Sequence, residues 1–234
     1  MNNNNLISSA NKGNVTKMTI NQFIKNLSNV EDNERLTNQY KNPVIANNLA
    51  VYLSYMKKNP PKYLFVGEAA GHLGCALSGI PFTDEYRLTI AGKNGCPPLL
   101  SSDYAIISDE PHKENSATLI WSVFSELSFY PILWNIVPFH PHNENDQNSN
   151  RTPTPSEVRK YSRFVEDILN LFPAIDRENG VFAVGKKPEA RLIDMGENVS
   201  YIRHPSHGGN SKCREQITKI ANLSKVISIF TRDE

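Results

Sequence analysis

The chain has 234 residues, 39% of them apolar, and a formal net charge of +1. At about 150 residues per domain this is one domain with little to spare. The near-neutral balance excludes a polybasic, histone-like binder while leaving room for a local basic surface. The first residues, MNNNNLISSANKGN, lack the basic-then-apolar layout of a secretory signal, and residues 1–17 are expected to form a disordered tail ahead of a single domain at 18–234. No apolar stretch approaches the about 20 residues of a membrane span. Cys75, Cys96 and Cys213 are scattered and form no CxxC pair, so they offer no framework for zinc or an iron–sulfur cluster and suit a reducing compartment. A non-secreted protein is expected, cytoplasmic in a bacterium or nuclear in a eukaryote.

Residues 18–27 read as a short helix. Residues 42–58 read as a longer one, with Val44, Ile45, Leu49, Tyr52 and Met56 mostly on one side and Asn59-Pro60-Pro61 as its stop. Residues 63–66 have the length of a buried strand and run into the glycine-rich loop GEAAGHLG, which closes on Pro81-Phe82. Residues 84–113 carry Gly92, Gly95, Pro97, Pro98 and Pro111 with little periodicity, and are expected to be a long loop. A helix is expected at 115–127 and a second buried strand at 132–137, followed by the polar connection PFHPHNENDQNSNRTPTP.

Thr154-Pro155-Ser156-Glu157 is a helix start: Thr154 can cap, Pro155 takes the first position, and Glu157 can close a capping box. That helix should run to about Phe172 and stop at Pro173. A third strand follows at 181–184, a turn and helix at 185–196, and a fourth strand at 199–202. A last helix is expected at 212–223 and a short strand at 226–230. Strands alternating with helices imply a three-layer α/β/α sandwich around a central, mostly parallel four-stranded sheet.

Parallel strands aim their carboxyl ends at one rim, where such folds bind ligands. The four expected strands deliver GEAAGH, Asn135, GKKPEAR and HPSHGG to that rim. Phe82 offers a flat stacking face. Asn135 offers a donor and an acceptor on one amide, matching the edge of a pyrimidine. His204 offers a ring nitrogen that can donate to an oxygen gaining charge. Ser206, Lys212, Arg214 and the amides of Gly208 and Gly209 suit phosphates. His140 and His142 form an HxH pair, but no third ligand is placed by the sequence, so no metal site is expected.

Taken in order, these segments resemble the uracil-DNA glycosylase superfamily. GEAAG followed by GIPFT is similar to its first motif, in the spacing of the thermophile-type branch. LWNIVPFHP resembles the strand bearing the base-reading Asn, and NRTPTPSE the proline-rich helix start of the iron–sulfur branch. VGKKPEARL and HPSHGG resemble the third-strand and final motifs. The resemblance implies hydrolysis of the N-glycosidic bond of a uracil, or related deaminated base, flipped out of DNA to start base-excision repair. It implies a monomer acting on DNA without metal or organic cofactor. It implies catalytic roles for His204 and Glu68; a base pocket of Asn135, Phe82, Gly67, Ala69 and His72; and DNA contacts from Ser206, His207, Gly208, Lys212 and Arg214.

Three departures accompany the likeness. Ala69 stands where the best-known branch has a water-positioning Asp, so Glu68 could orient water, contact the base or hold the loop, with His72 as the other candidate. The four cluster cysteines are missing. The segment after HPS offers His207 where an apolar wedge is usual. A non-catalytic binder of flipped bases or single strands on the same fold is the alternative, and a glycosylase for another lesion is a second. GEAAGH is not the G-x-G-x-x-G of a dinucleotide site, which sets a nucleotide-binding enzyme aside.

Overall fold

The structure is a computed structural model that describes residues 18–94 and 96–230; the expected tail lies outside them. In chain order it contains α1 (Ile20–Ser28), β1 (Leu36–Thr37), α2 (Pro43–Lys58), β2 (Leu64–Ala69), α3 (Cys75–Ser78), α4 (Glu85–Asn94) and α5 (Asn115–Leu127). Then come β3 (Ile132–Val137), β4 (His140–Pro141), α6 (Pro155–Tyr161), α7 (Arg163–Leu171), β5 (Val181–Val184), α8 (Lys186–Asp194), β6 (Ser200–Ile202) and α9 (Asn210–Phe230). The core sheet is all-parallel, in the order β3-β2-β5-β6.

The apolar strand runs have a helix layer to face on each side. Phe65, Leu133 and Phe182 share a register and hence a face. On that face Phe65 meets Phe124 of α5 at a ring separation of 5.8 Å and Phe129 at 6.1 Å, and α9 packs on α5. Trp134 points the other way and meets Phe23 of α1 at 5.4 Å, which in turn meets Phe164 of α7 at 6.2 Å. The outer side of β3 is closed by α2: the Tyr52 hydroxyl accepts from the Leu133 amide at 3.0 Å and donates to the Pro131 carbonyl at 3.4 Å. No described helix is long and apolar enough to cross a membrane.

Three expectations change. Residues 84–113 are not one loop, since they contain α4 and a 3₁₀ turn at Pro97–Leu99. This helix start rests on polar groups rather than an apolar stripe. Asp84 accepts from the Arg87 amide at 2.8 Å, and the fully buried Glu85 accepts from the Ile107 and Ser108 amides at 2.7 and 3.1 Å. The connection after β3 is partly ordered as β4, antiparallel to β1, with His140 and His142 buried. Residues 226–230 are helical, not a strand, because no glycine or proline interrupts α9 between 210 and 230 and a short apolar run fits either form.

The other expected helices are present with small shifts. Asn42 caps α2 through a bond from the Val44 amide at 2.9 Å. The capping box at Thr154 and Glu157 is closed in both directions. The helix that follows tightens at Ser162, whose carbonyl takes the Val165 amide three residues on, and this divides α6 from α7.

Candidate active site

A cavity of about 740 Å³ opens at the carboxyl ends of the strands. Its lining includes Glu68, Ala69, Phe82, Glu114, Asn135, Lys187, Arg203, His204 and Ser206. Residues separated by more than 130 positions therefore share one wall, as the parallel sheet requires.

Gly67, expected in the base pocket, does not itself line the cavity, but it sets the packing of two residues that do. This residue stands beside Asn135 in the β2–β3 register. A Cβ at 67 would sit 2.5 Å from Asn135 Oδ1 and 2.6 Å from Phe82 Cζ, so the missing side chain is what lets the amide and the ring approach each other. Asn135 is 3% exposed, and its side-chain amide has no hydrogen-bond partner among the described residues. Asn135 is part of the cavity lining, so its amide is open to a partner that enters there.

Phe82 adopts φ +54°, in the left-handed region that a bulky residue avoids. Such strain persists only where the surroundings over-determine it. Here Gly79 turns the chain at φ +80°, and buried Ser78 donates to the Thr83 carbonyl at 2.6 Å. Trp121 Nε1 donates to Thr83 Oγ1 at 2.9 Å. The ring is thereby aimed across the slot, 6.4 Å from the His204 ring and inclined to it by 40°.

The protonation of His204 follows from its contacts. The Ser206 amide can only donate, and it points at Nδ1 at 3.1 Å; the Ser206 hydroxyl lies 2.7 Å from the same atom. Nδ1 is therefore the acceptor, which leaves Nε2 to carry the proton. Burial, then the charges of Arg203 and His207, push the imidazole below its usual range and favour the neutral form. Gly209 closes tightly beneath this turn, since a Cβ there would fall 2.0 Å from the His204 carbonyl oxygen.

The remaining expected residues divide. Ala69 and His207 line the cavity. Gly208, at φ +74°, completes the turn after His207, itself at φ +52°. Glu68 lines the cavity too, but its carboxylate lies 3.2 Å from Lys187 Nζ, toward a neighbouring cleft that it also lines. His72 does not reach the lining. Its Nδ1 is 2.9 Å from Asn150 Nδ2, and its amide donates to Asn150 Oδ1 at 3.0 Å. Lys212 pairs with Glu215 at 3.0 Å, and Arg214 ties α9 to α5 through Glu126 at 2.6 Å; neither lines the cavity.

Sequence reasoning missed Glu114, Asn150, Arg151 and Tyr201, all part of the lining. Arg151 is held by Glu157 at 2.5 Å and fixes the wall. Cys75 is also present, but burial pushes its thiol up to about 12, which removes it as a nucleophile. His140 bonds two backbone carbonyls through its ring, and no group of three metal-ligating residues occurs among the described residues.

A four-stranded parallel sheet between helix layers, with a cavity at the carboxyl ends of its strands, defines the class of fold. Within that class the chain is similar to the crystal structure of wild-type Pedobacter heparinus SMUG2, with a TM-score of 0.64 over 89% of this chain and 97% of that one, at 19% identity. No family model matches the chain, and no curated protein matches it in sequence.

Proposed function

We propose that this chain is a DNA glycosylase that hydrolyses the N-glycosidic bond of uracil, or a related deaminated base, once the nucleotide has left the duplex. The observation that carries this reading is the convergence of Phe82, Asn135 and His204 on one cavity, with Gly67 letting the ring and the amide approach each other. The fold likeness to SMUG2 supports it.

Flipping costs a few kcal/mol of stacking and pairing, which contacts in the pocket offset. The base would slide over Phe82, and Asn135 would bond its imide edge, where cytosine presents a different donor pattern. As the bond from C1′ to N1 stretches, negative charge gathers on the base oxygens. The neutral Nε2–H of His204 would donate to one of them. A donor aimed at developing charge is worth about 3 kcal/mol in such sites. Ser206, His207 and the backbone at Gly208, with Lys186 and Arg203 at the rim, would hold the flanking phosphates, and Lys187, already in the lining, would join them by leaving Glu68. Lys212 and Arg214 are engaged with carboxylates elsewhere and would contribute only by turning away from them. The scheme uses no metal or organic cofactor.

The test is incubation with single- and double-stranded oligonucleotides bearing one uracil, followed by alkali to cut abasic sites. Strand scission is expected, with His204→Ala lowering the rate at least 100-fold while DNA affinity stays near the parent's. Tight binding without any scission would make the chain a reader of flipped bases instead. Equal rates for parent and variant would remove His204 from the chemistry.

A further inference from the structure

Resting on that reading, the attacking water needs a group to orient it, and position 69 does not supply one. Ala69 has no polar side chain, and Glu68 is turned to Lys187 at 3.2 Å. Glu114 is the other carboxyl in the cavity lining. It sits at the amino end of α5, yet its side chain does not cap that helix. Instead it reaches into the glycine loop, where a Cβ at Gly74 would lie 2.3 Å from Oε2 and one at Gly71 4.0 Å from Oε1. A side chain at position 74 would push the Glu114 carboxyl out of this place.

The neighbouring carboxyl, Asp84, is already engaged. Asp84 accepts the Arg87 amide at 2.8 Å and the Glu114 amide at 2.6 Å, so Asp84 is anchored by backbone and in turn anchors the residue that bears the cavity carboxyl. The Glu114 carboxyl itself has no hydrogen bond or ion pair among the described residues. We propose that Glu114 is the catalytic carboxylate that orients and deprotonates the attacking water. The water oxygen bonds to C1′ as the C1′–N1 pair leaves with the base. The water's proton passes to Glu114, and the products are a 1′-hydroxyl sugar and the free base, whose anionic form is stabilised by His204.

Burial, then the Asp84 charge, raises the Glu114 carboxyl above the usual carboxylate range, which makes it a stronger base and opposes its ionisation. The titratable groups facing it are Asp84, itself raised by burial, and the Cys75 thiol. Activity should therefore rise with pH through a limb above the about 4.3 of an ordinary glutamate.

The test compares the parent with Glu114→Gln, Glu114→Ala and Glu68→Gln under single-turnover conditions across that limb. Glu114→Gln should lose roughly 100-fold or more in rate, with uracil-DNA affinity retained and the acidic limb flattened. Added formate should partly restore Glu114→Ala, which a structural role would not allow. An active parent beside a Glu114→Gln variant of equal rate, or one changed only in affinity or base preference, overturns the assignment of Glu114 but not the glycosylase reading. An inactive parent overturns the glycosylase reading itself.

Discussion

At the scale of single residues, the site is shaped as much by what is missing as by what is present. Gly67 has no φ requirement of its own, so ordinary turn arguments say nothing about it. Its necessity lies in the 2.5 and 2.6 Å that would separate a Cβ from the Asn135 oxygen and the Phe82 ring. Neither neighbour is a flexible side-chain end, because Asn135 is 3% exposed and Phe82 stands on a strained backbone held by Ser78, Thr83 and Trp121. Gly67→Ala is therefore expected to destabilise the protein by about 1–3 kcal/mol through overpacking. It should lower uracil excision more than tenfold by widening the slot. Urea unfolding and the alkali assay check the two halves, and a variant with parental excision would mean that the ring and amide can move apart without cost to function. The importance of glycine at 67 was readable in the sequence only as part of a glycine-rich loop. Which glycine mattered, and against what, depends on the register that sets it beside Asn135.

At the scale of elements, the signals that were legible share a cause: they are local. The Thr154 capping box, the Asn42 cap and the apolar strands at 132–137 and 181–184 each arise from residues a few positions apart. The β1–β4 pair is not local, since Leu36 lies opposite Pro141, and a two-residue strand has no period to read. It fixes His140, 3% exposed, with Nδ1 at 2.9 Å from the Ala70 carbonyl and Nε2 at 2.9 Å from that of Gln147. A neutral imidazole can donate to only one of these acceptors. Burial nevertheless pushes the ring below its usual range, with His142 and His72 facing it as the nearby titratable groups.

The linkage has a definite sign. With a folded-state pKa below the unfolded value of about 6.5, the unfolded chain binds more protons in the window between the two. The stabilisation is complete above the unfolded pKa and is lost as pH falls through the folded one, and His204 acts in the same direction. Urea midpoints measured between about pH 7 and pH 5 should fall for the parent, and fall less steeply for His140→Gln, which starts lower because it leaves a carbonyl without its donor. An equally steep fall in the variant would place the titration elsewhere.

At the scale of the whole molecule, the chain's order of strands and helices made the sandwich legible, and the carboxyl-end rule then placed Phe82, Asn135 and His204 near one rim. What stayed hidden was which cations face that rim. Lys212 and Arg214 follow the HPS turn in sequence, yet α9 carries them to Glu215 and Glu126, a direction set by helix rotation and not by proximity in the chain. Lys186 and Lys187 open α8 directly after β5, and Arg203 directly follows β6, so all three meet the cavity.

A chain with net charge +1 can bind a polyanion only through such a local concentration of charge. About three phosphate contacts would give a slope of log K against log salt of roughly −2 on single strands and −3 on duplex DNA, far shallower than a polybasic binder. Binding of uracil-DNA by His204→Ala, which should not turn the substrate over, measures this directly. Adding Lys186→Ala should make the slope shallower by somewhat less than 1, whereas Lys212→Ala, paired to Glu215 outside the cavity, should leave it unchanged. The reverse pattern would move the phosphate track from the β5–α8 junction onto α9, and with it the direction in which the DNA strand leaves the base slot.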